Sequence, residues 1–241
     1  MENLEKQDLS FAITRLPKVL RDVMQHVDWD DRIFIGGGYI RAIVAGEKVN
    51  DIDVFVKSKA DAELLSLKLA DSKLHIYKTD NAFTITNLKP VVQIVFRWVF
   101  DKPEDVINSF DFTIACAVLF YRKNRWEGLV DTRFYRDLAA KRLVYRSPVR
   151  NEDAGGSALR VLKYYQRGYK IPLDSFGAVL ARLLKDVDVN TIPEELREGK
   201  EEYWKSLDAE KKLGWILTSR LKVVDPQIDP FHEAHLPSTT E

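Results

Sequence analysis

The stretch Phe34-Ile35-Gly36-Gly37-Gly38-Tyr39-Ile40-Arg41, followed ten residues later by Asp51-Ile52-Asp53-Val54-Phe55, decides how this chain reads. An apolar run ends in three glycines, and a helical pattern follows. Glycine adopts backbone conformations closed to other residues and lets the main chain come close to a ligand. The helix beyond it opens with unpaired N–H groups and a partial positive charge, which suits a phosphate. Arg41, one turn past the glycines, adds a guanidinium suited to a phosphate oxygen. In the second piece, Asp51 and Asp53 are two residues apart on a strand and therefore share a face. Two same-face carboxylates match Mg²⁺, which takes one or two carboxylates together with substrate phosphates. Alone, a triple glycine is a flexible turn and an Asp-x-Asp is a solvated strand edge. In this order and on these elements they are the equipment of nucleotidyl transfer, where metal ions activate a hydroxyl and neutralise the leaving pyrophosphate. The pattern is neither the dinucleotide fingerprint G-x-G-x-x-G nor a P-loop.

Working outward, Phe11, Leu16, Leu20, Val23 and Val27 recur at helical spacing over residues 11–27, with Pro17 marking a helix start inside the run. Residues 32–35 read as a strand, 39–45 as a helix ending near Gly46, and 51–56 as a strand. A helix is expected over 60–70, strands over 74–78, 82–87 and 91–99, and a short helix over 103–109 with Pro103 in its first turn. Residues 113–120 and 126–130 read as strands, and the pattern is helical from about Arg133 onward. The expected organisation is an N-terminal helix packing on the first domain (1–30), an α/β domain (31–145), a helical domain (146–224) and a tail (225–241).

The composition fits a globular chain: 241 residues, 45% hydrophobic and 31% charged. The 37 Lys and Arg balance the 37 Asp and Glu, which argues against a protein that coats nucleic acid through bulk charge. The zero conceals opposed parts. Residues 121–170 hold 13 basic against 5 acidic residues, a balance of +8, and residues 186–241 hold 7 against 13, a balance of −6. A phosphate-bearing partner is expected at the basic centre. The single cysteine, Cys116, sits in an apolar run and reads as a small buried thiol in a reduced, cytoplasmic setting. There is no signal-peptide pattern, and no apolar run approaches the ~20 residues of a membrane helix, so no membrane partner is expected.

The same residues carry a likeness. The chain resembles the head domain of the DNA polymerase β-like nucleotidyltransferase superfamily, and within it bacterial poly(A) polymerases and class II CCA-adding enzymes. Their first motif matches Gly36, Gly37, Arg41, Gly46, Asp51 and Asp53. Downstream, Phe96-Arg97, Glu104-Asp105, Asp111-Phe112-Thr113-Ile114, Asp137-Leu138 and Arg142-Leu143 resemble further head motifs. Glu152-Asp153, Leu159-Arg160 and Arg167-Gly168-Tyr169 resemble the neck. The likeness covers roughly residues 30–172. It implies an α/β (α+β) fold: a mixed-sheet nucleotidyltransferase head domain followed by a helical C-terminal domain. It also implies Mg²⁺ (or Mn²⁺) on Asp51 and Asp53, an NTP such as ATP or CTP as substrate, and an RNA 3′ end such as that of tRNA as acceptor. Asp51, Asp53 and Asp111 become the candidate catalytic residues. Gly36, Gly37, Gly38, Arg41, Arg97, Arg160 and Lys163 become the candidate nucleotide-binding residues.

The chain also departs from that pattern. Ala42 follows the motif arginine where the family has Asp, and Ser109-Phe110 replace two arginines associated with the nucleotide's ribose. Gln93 stands nearest the place of a third carboxylate, and an amide cannot replace that charge. These departures keep two alternatives open: nucleotidylation of a protein or small molecule, and a catalytically weakened nucleotide- or RNA-binding member. Bland readings stand beside the sharp ones. Asp111 can be a cap, Arg160, Lys163 and Arg167 a solvated stripe, and Tyr164 and Tyr165 packing against the head. Trp204 and Trp215 read as helix core, and His232-Glu233-Ala234-His235 reads as tail, one residue short of a zinc motif.

Overall fold

The computed structural model describes residues 1–147, 155–197 and 199–224, with the side chains of 222–224 left aside. The tail (225–241), with its two histidines, and Glu152-Asp153 lie outside the described residues. The chain divides into two compact units, Met1–Arg150 and Asn151–Glu241.

The first unit opens with β1 (Glu2–Asn3), α1 (Lys6–Thr14) and α2 (Lys18–Met24). Pro17 marks a helix start inside 11–27, as expected: it caps α2, and its missing N–H separates α2 from α1. Leu20 and Met24 face inward, while Phe11 and Val27 are exposed. Next come β2 (Ile33–Gly36), α3 (Gly38–Ala45), β3 (Asp51–Val56) and α4 (Lys59–Leu69). Gly46 ends α3 in the left-handed conformation. The Ser58 hydroxyl accepts from the Asp61 N–H to start α4. Strands β4 (Ile76–Lys78), β5 (Ala82–Ile85) and β6 (Val91–Val95) precede α5 (Pro103–Asn108). Strands β7 (Ala117–Arg122) and β8 (Arg125–Val130) and helix α6 (Phe134–Ala139) complete the unit.

All eight strands form one sheet in the order β1-β8-β7-β2-β3-β6-β5-β4. It is mixed, since β3 and β6 run parallel and the other neighbours antiparallel. The edge strand β1 fits because Gly128 leaves the space that Leu4 fills. One face carries Ile52, Val54, Val92, Ile94, Phe83 and Ile85, all buried, with the buried Ala62, Leu65 and Leu69 of α4 beside them. The opposite face holds an apolar cluster of Phe34, Phe55, Val118 and Phe120 against Val106, Ile107 and Phe110 from the α5 region. Alternation along β3 sends Asp51, Asp53 and Phe55 to that second face.

The strand expected over 113–120 begins instead as a 3-10 turn over Thr113–Ala115. Its start is drawn away from the sheet: the Thr113 N–H bonds Val144, Phe112 bridges Tyr145, and the Thr113 hydroxyl donates to Asp137 at 2.8 Å.

The second unit contains α7 (Gly155–Gln166), α8 (Leu173–Leu184), α9 (Glu201–Ser206) and α10 (Ala209–Val224). Gly155 lies so near α10 that a Cβ there would fall 2.8 Å from the Arg220 carbonyl oxygen. Trp204 is buried edge-to-face against the half-buried Trp215, so the core reading of this pair holds in full for Trp204 alone. Tyr164 is buried against Tyr169 within this unit, and Tyr165 is exposed.

Candidate active site

The sheet register builds the site. Val118, Gly36, Asp53, Gln93 and Thr84 form one row across β7, β2, β3, β6 and β5. Residues directly opposite one another share a face, so Asp53, Gln93 and Thr84 point the same way, with Asp51 one pleat along. All four are half-buried. Gly36 leaves a gap in this row, and the turn into α3 follows at once.

The three glycines have three different situations. A Cβ on Gly36 would stand 3.0 Å from the Phe110 ring and from Val106. Gly37 has a φ of +69°, and a Cβ there would meet Phe110 at 3.1 Å and the Asp53 carboxylate at 3.8 Å. A Cβ on Gly38 would meet nothing within 4 Å. The first two glycines are demanded by Phe110 and by backbone geometry; the third borders open space at the start of α3, whose N-cap Gly37 has no side chain to cap it. Phe110, the residue where the likeness expects arginine, marks the border: toward α5 the face is apolar, with Phe55 edge-to-face against it, and toward Asp53 the face is polar. A sequence cannot announce this packing, since Phe110 is far from Gly36 along the chain.

The other candidates have different surroundings. Arg41 is 4% exposed at its side chain and pairs with Glu47 at 3.5 Å, so its charge is engaged on the loop that leads into β3. Glu47 carried no sequence signal. Arg97 lies two residues beyond the end of β6, at the end of that strand away from Asp51. Its guanidinium lies 4.8 Å from the Trp98 ring. Arg160 and the exposed Lys163 belong to α7 of the second unit.

Asp111 is 2% exposed, and its carbonyl accepts from the Arg146 N–H at 2.7 Å. It does not join Asp51 and Asp53: among the described residues no group of three or more His, Cys, Asp or Glu gathers as a metal cluster. Asp111 lies in a closed network. Arg146 reaches Asp131 at 3.0 Å, Asn108 at 3.3 Å and the Cys116 sulfur at 3.5 Å. Burial pushes the Cys116 thiol up to about 12, against the pull of Arg146. The thiol stays protonated and donates to the Phe112 carbonyl. Within the basic centre five arginines share three carboxylates: Arg122 and Arg125 pair with Glu127, Arg133 and Arg136 with Asp137, and Arg146 with Asp131.

The donor set fits a divalent cation. Asp51 and Asp53 supply two carboxylates on one face, with the neutral amide of Gln93 in register beside Asp53.

The model of the Gabija anti-defense 2 family matches residues 6–141, more than half of the chain, from α1 through α6 and including every strand of the sheet but β1. The chain belongs to the Gabija anti-defense 2 family. It is 24% identical over 165 residues to "Gabija anti-defense 2" of Bacillus phage SPbetaL7, an alignment covering 68% of this chain and 40% of that relative. This Gabija anti-defense 2 family member is also similar to solved CCA-adding enzymes. With the Thermotoga maritima enzyme in complex with tRNA it shares a TM-score of 0.55 at 17% identity, over 94% of this chain and 57% of the other. With a CCA-adding enzyme in complex with ATP the TM-score is 0.58 at 15% identity, over 94% and 58%. At these identities the likeness is one of fold, the nucleotidyltransferase fold with a mixed sheet followed by helices. The chain spans less than two thirds of each of these proteins. No described helix is long and apolar enough to cross a membrane.

Proposed function

We propose that this member of the Gabija anti-defense 2 family is a metal-dependent nucleotidyltransferase that moves a nucleoside monophosphate from an NTP, ATP or CTP, onto a hydroxyl. One observation carries the reading: Asp51, Asp53 and Gln93 share a face beside a glycine turn whose last member, Gly38, borders open space. In this reading Asp51 and Asp53 hold Mg²⁺ or Mn²⁺, and the turn over Gly36, Gly37 and Gly38 offers backbone N–H groups to the triphosphate. The cation supplies charge neutralisation at the transferring phosphate and acidifies the acceptor hydroxyl. The chain's own residues hold and orient. Arg41, through Glu47, steadies the loop that delivers Asp51, and Phe110 with Val106 gives the site a dry apolar wall.

The fold shared with CCA-adding enzymes, one of them solved with tRNA, supports an RNA 3′ end as acceptor. The phage relative's name supports a second acceptor class, a protein or small molecule of a host defence system.

The test is incubation with each labelled NTP and Mg²⁺ or Mn²⁺, with total RNA in one arm and host-cell protein in the other. Label transfer that disappears in Asp51→Ala plus Asp53→Ala supports the reading, and transfer that survives the double substitution refutes it. Gln93→Asp restores a third carboxylate and is expected to lower the half-saturating metal concentration by about tenfold, by the added charge at the ion. An unchanged metal titration would place Gln93 outside the coordination sphere.

A further inference from the structure

The row that passes through Asp53 runs on, away from the glycine turn, to the edge of the sheet. Asp53 pairs with Gln93, Gln93 with Thr84 and Thr84 with Tyr77, on β3, β6, β5 and β4 in turn. Directly opposed residues share a face, so all four side chains leave the sheet on the same side. Neighbouring strands lie about 4.8 Å apart, which puts Tyr77 about 14 Å from Asp53. Nothing lies beyond it in the sheet, because β4 is the last strand. Exposure rises along the row: Gln93 and Thr84 are half-buried, and Tyr77 is 65% exposed. Among the described residues, the Gln93 amide, the Thr84 hydroxyl and the Tyr77 phenol make no hydrogen bond, and the Tyr77 ring meets no other ring. One exposed tyrosine is ordinary. Three unengaged polar side chains in line with a pair of carboxylates are a surface arranged for a ligand.

The row also has a direction. In the function proposed above, the triphosphate lies at Gly36–Gly38, on the β2 side of Asp53. The attacking and leaving oxygens of phosphoryl transfer stand roughly in line across the phosphorus. With pyrophosphate on the β2 side, the acceptor comes from the β6 side, over Gln93. Its hydroxyl gives a proton to water and its oxygen bonds the α-phosphorus. The bond from that phosphorus to pyrophosphate breaks, and the electron pair leaves with pyrophosphate. Resting on that reading, we infer that Gln93, Thr84 and Tyr77 form the acceptor track, and that Tyr77 stacks on a base of single-stranded RNA upstream of its 3′ end. An exposed ring accepts a base of any identity. An amide and a hydroxyl each donate and accept, which matches ribose hydroxyls and base edges. A small acceptor does not reach from Asp53 to Tyr77. A strand does so with more than one nucleotide and then leaves past the open edge of β4.

Single-stranded oligoribonucleotides carrying 2-aminopurine at successive positions from the 3′ end test this on the full chain, without NTP or Mg²⁺. Stacking on an aromatic ring quenches that fluorophore. Quenching is expected to peak upstream of the terminal nucleotide. Tyr77→Ala removes the peak and weakens binding about tenfold, the worth of one stacked base, with an unchanged circular dichroism spectrum. Tyr77→Phe keeps both peak and affinity, since the ring does the stacking. Thr84→Val weakens binding about threefold through one lost hydrogen bond. In the labelled-NTP assay, Tyr77→Ala raises the KM for RNA about tenfold and leaves the KM for NTP alone. An oligonucleotide that does not bind, a peak that survives Tyr77→Ala, or a Tyr77→Phe chain as weak as Tyr77→Ala overturns the track. Label transfer confined to host protein, with no oligonucleotide bound, also overturns it and leaves nucleotidyl transfer standing. A Tyr77-dependent peak in a chain that transfers no label supports the track and counts against the transfer alone.

Discussion

Two groups of aspartates in the first unit show how one residue type takes two roles. Asp51 and Asp53 stand half-buried on the face of β3, beside Gln93 and a glycine turn that borders open space. Asp137 is fully buried and held by the Thr113 hydroxyl, by two nitrogens of Arg133 and by Arg136. The nearby Asp131 is tied to Arg146. The first group sets half-buried carboxylates on one strand face; the second uses them to fasten one sequence segment to another. A buried carboxylate with its donors in place is a clamp, and moving it costs stability. A half-buried carboxylate contributes less to stability than one enclosed among its donors.

Substitutions separate the two roles. The largest effect is on activity: Asp51→Ala plus Asp53→Ala is expected to abolish transfer, about a thousandfold or more, while the urea midpoint moves little. A large loss of stability would put these residues with the clamps. Asp137→Ala should do the converse, costing on the order of 3–5 kcal/mol in urea unfolding because it strands Arg133 and the Thr113 hydroxyl. A change below about 1 kcal/mol would mean the network is dispensable.

The closed region also predicts a pH dependence. Cys116 ordinarily ionises at 9.0 and is held up to about 12 in the folded chain. The unfolded chain loses this proton first, so stability is intact below pH 9 and falls by about 1.4 kcal/mol per unit from there toward pH 12. Cys116→Ala should flatten the slope between pH 9 and 10, below the range where Tyr39 and Tyr135, themselves raised by burial, begin to contribute. An identical slope would exclude the thiol as its source. The smallest effect belongs to the border between the regions. Gly36→Ala should cost about 1–2 kcal/mol through its clash with Phe110. In a Phe110→Leu background the cost should shrink by at least about 0.5 kcal/mol. Strict additivity would show that the ring is not what Gly36 accommodates.

Much of this was legible in the chain. Strand β3 and the start and end of α3 follow from alternation and from glycine, and the Asp51–Asp53 pair shares a face because strand side chains alternate. Less legible was the segment Asp111-Phe112-Thr113-Ile114. Its apolar run suggests a strand, but its partners are Val144, Tyr145 and Asp137, some thirty residues away or nearly so. The excess of positive charge over 121–170 suggested a phosphate surface. Five of its arginines share three carboxylates, Glu127, Asp131 and Asp137, which that balance already counts, so these pairs fix local geometry and leave the excess in place.

The sequence by itself determined most of the elements, that two carboxylates share one face, and that a glycine turn opens the helix before them. These are local properties, set by backbone sterics and by the period of the side chains. Only the tertiary structure decided that Gln93 lies beside Asp53, that Phe110 presses on Gly36 and Gly37, and that Arg41 is paired while Asp111 is enclosed. Those facts depend on strand order and on contacts between residues far apart along the chain. The packing that fixes them minimises the free energy of the whole fold and leaves no mark on any short stretch of sequence.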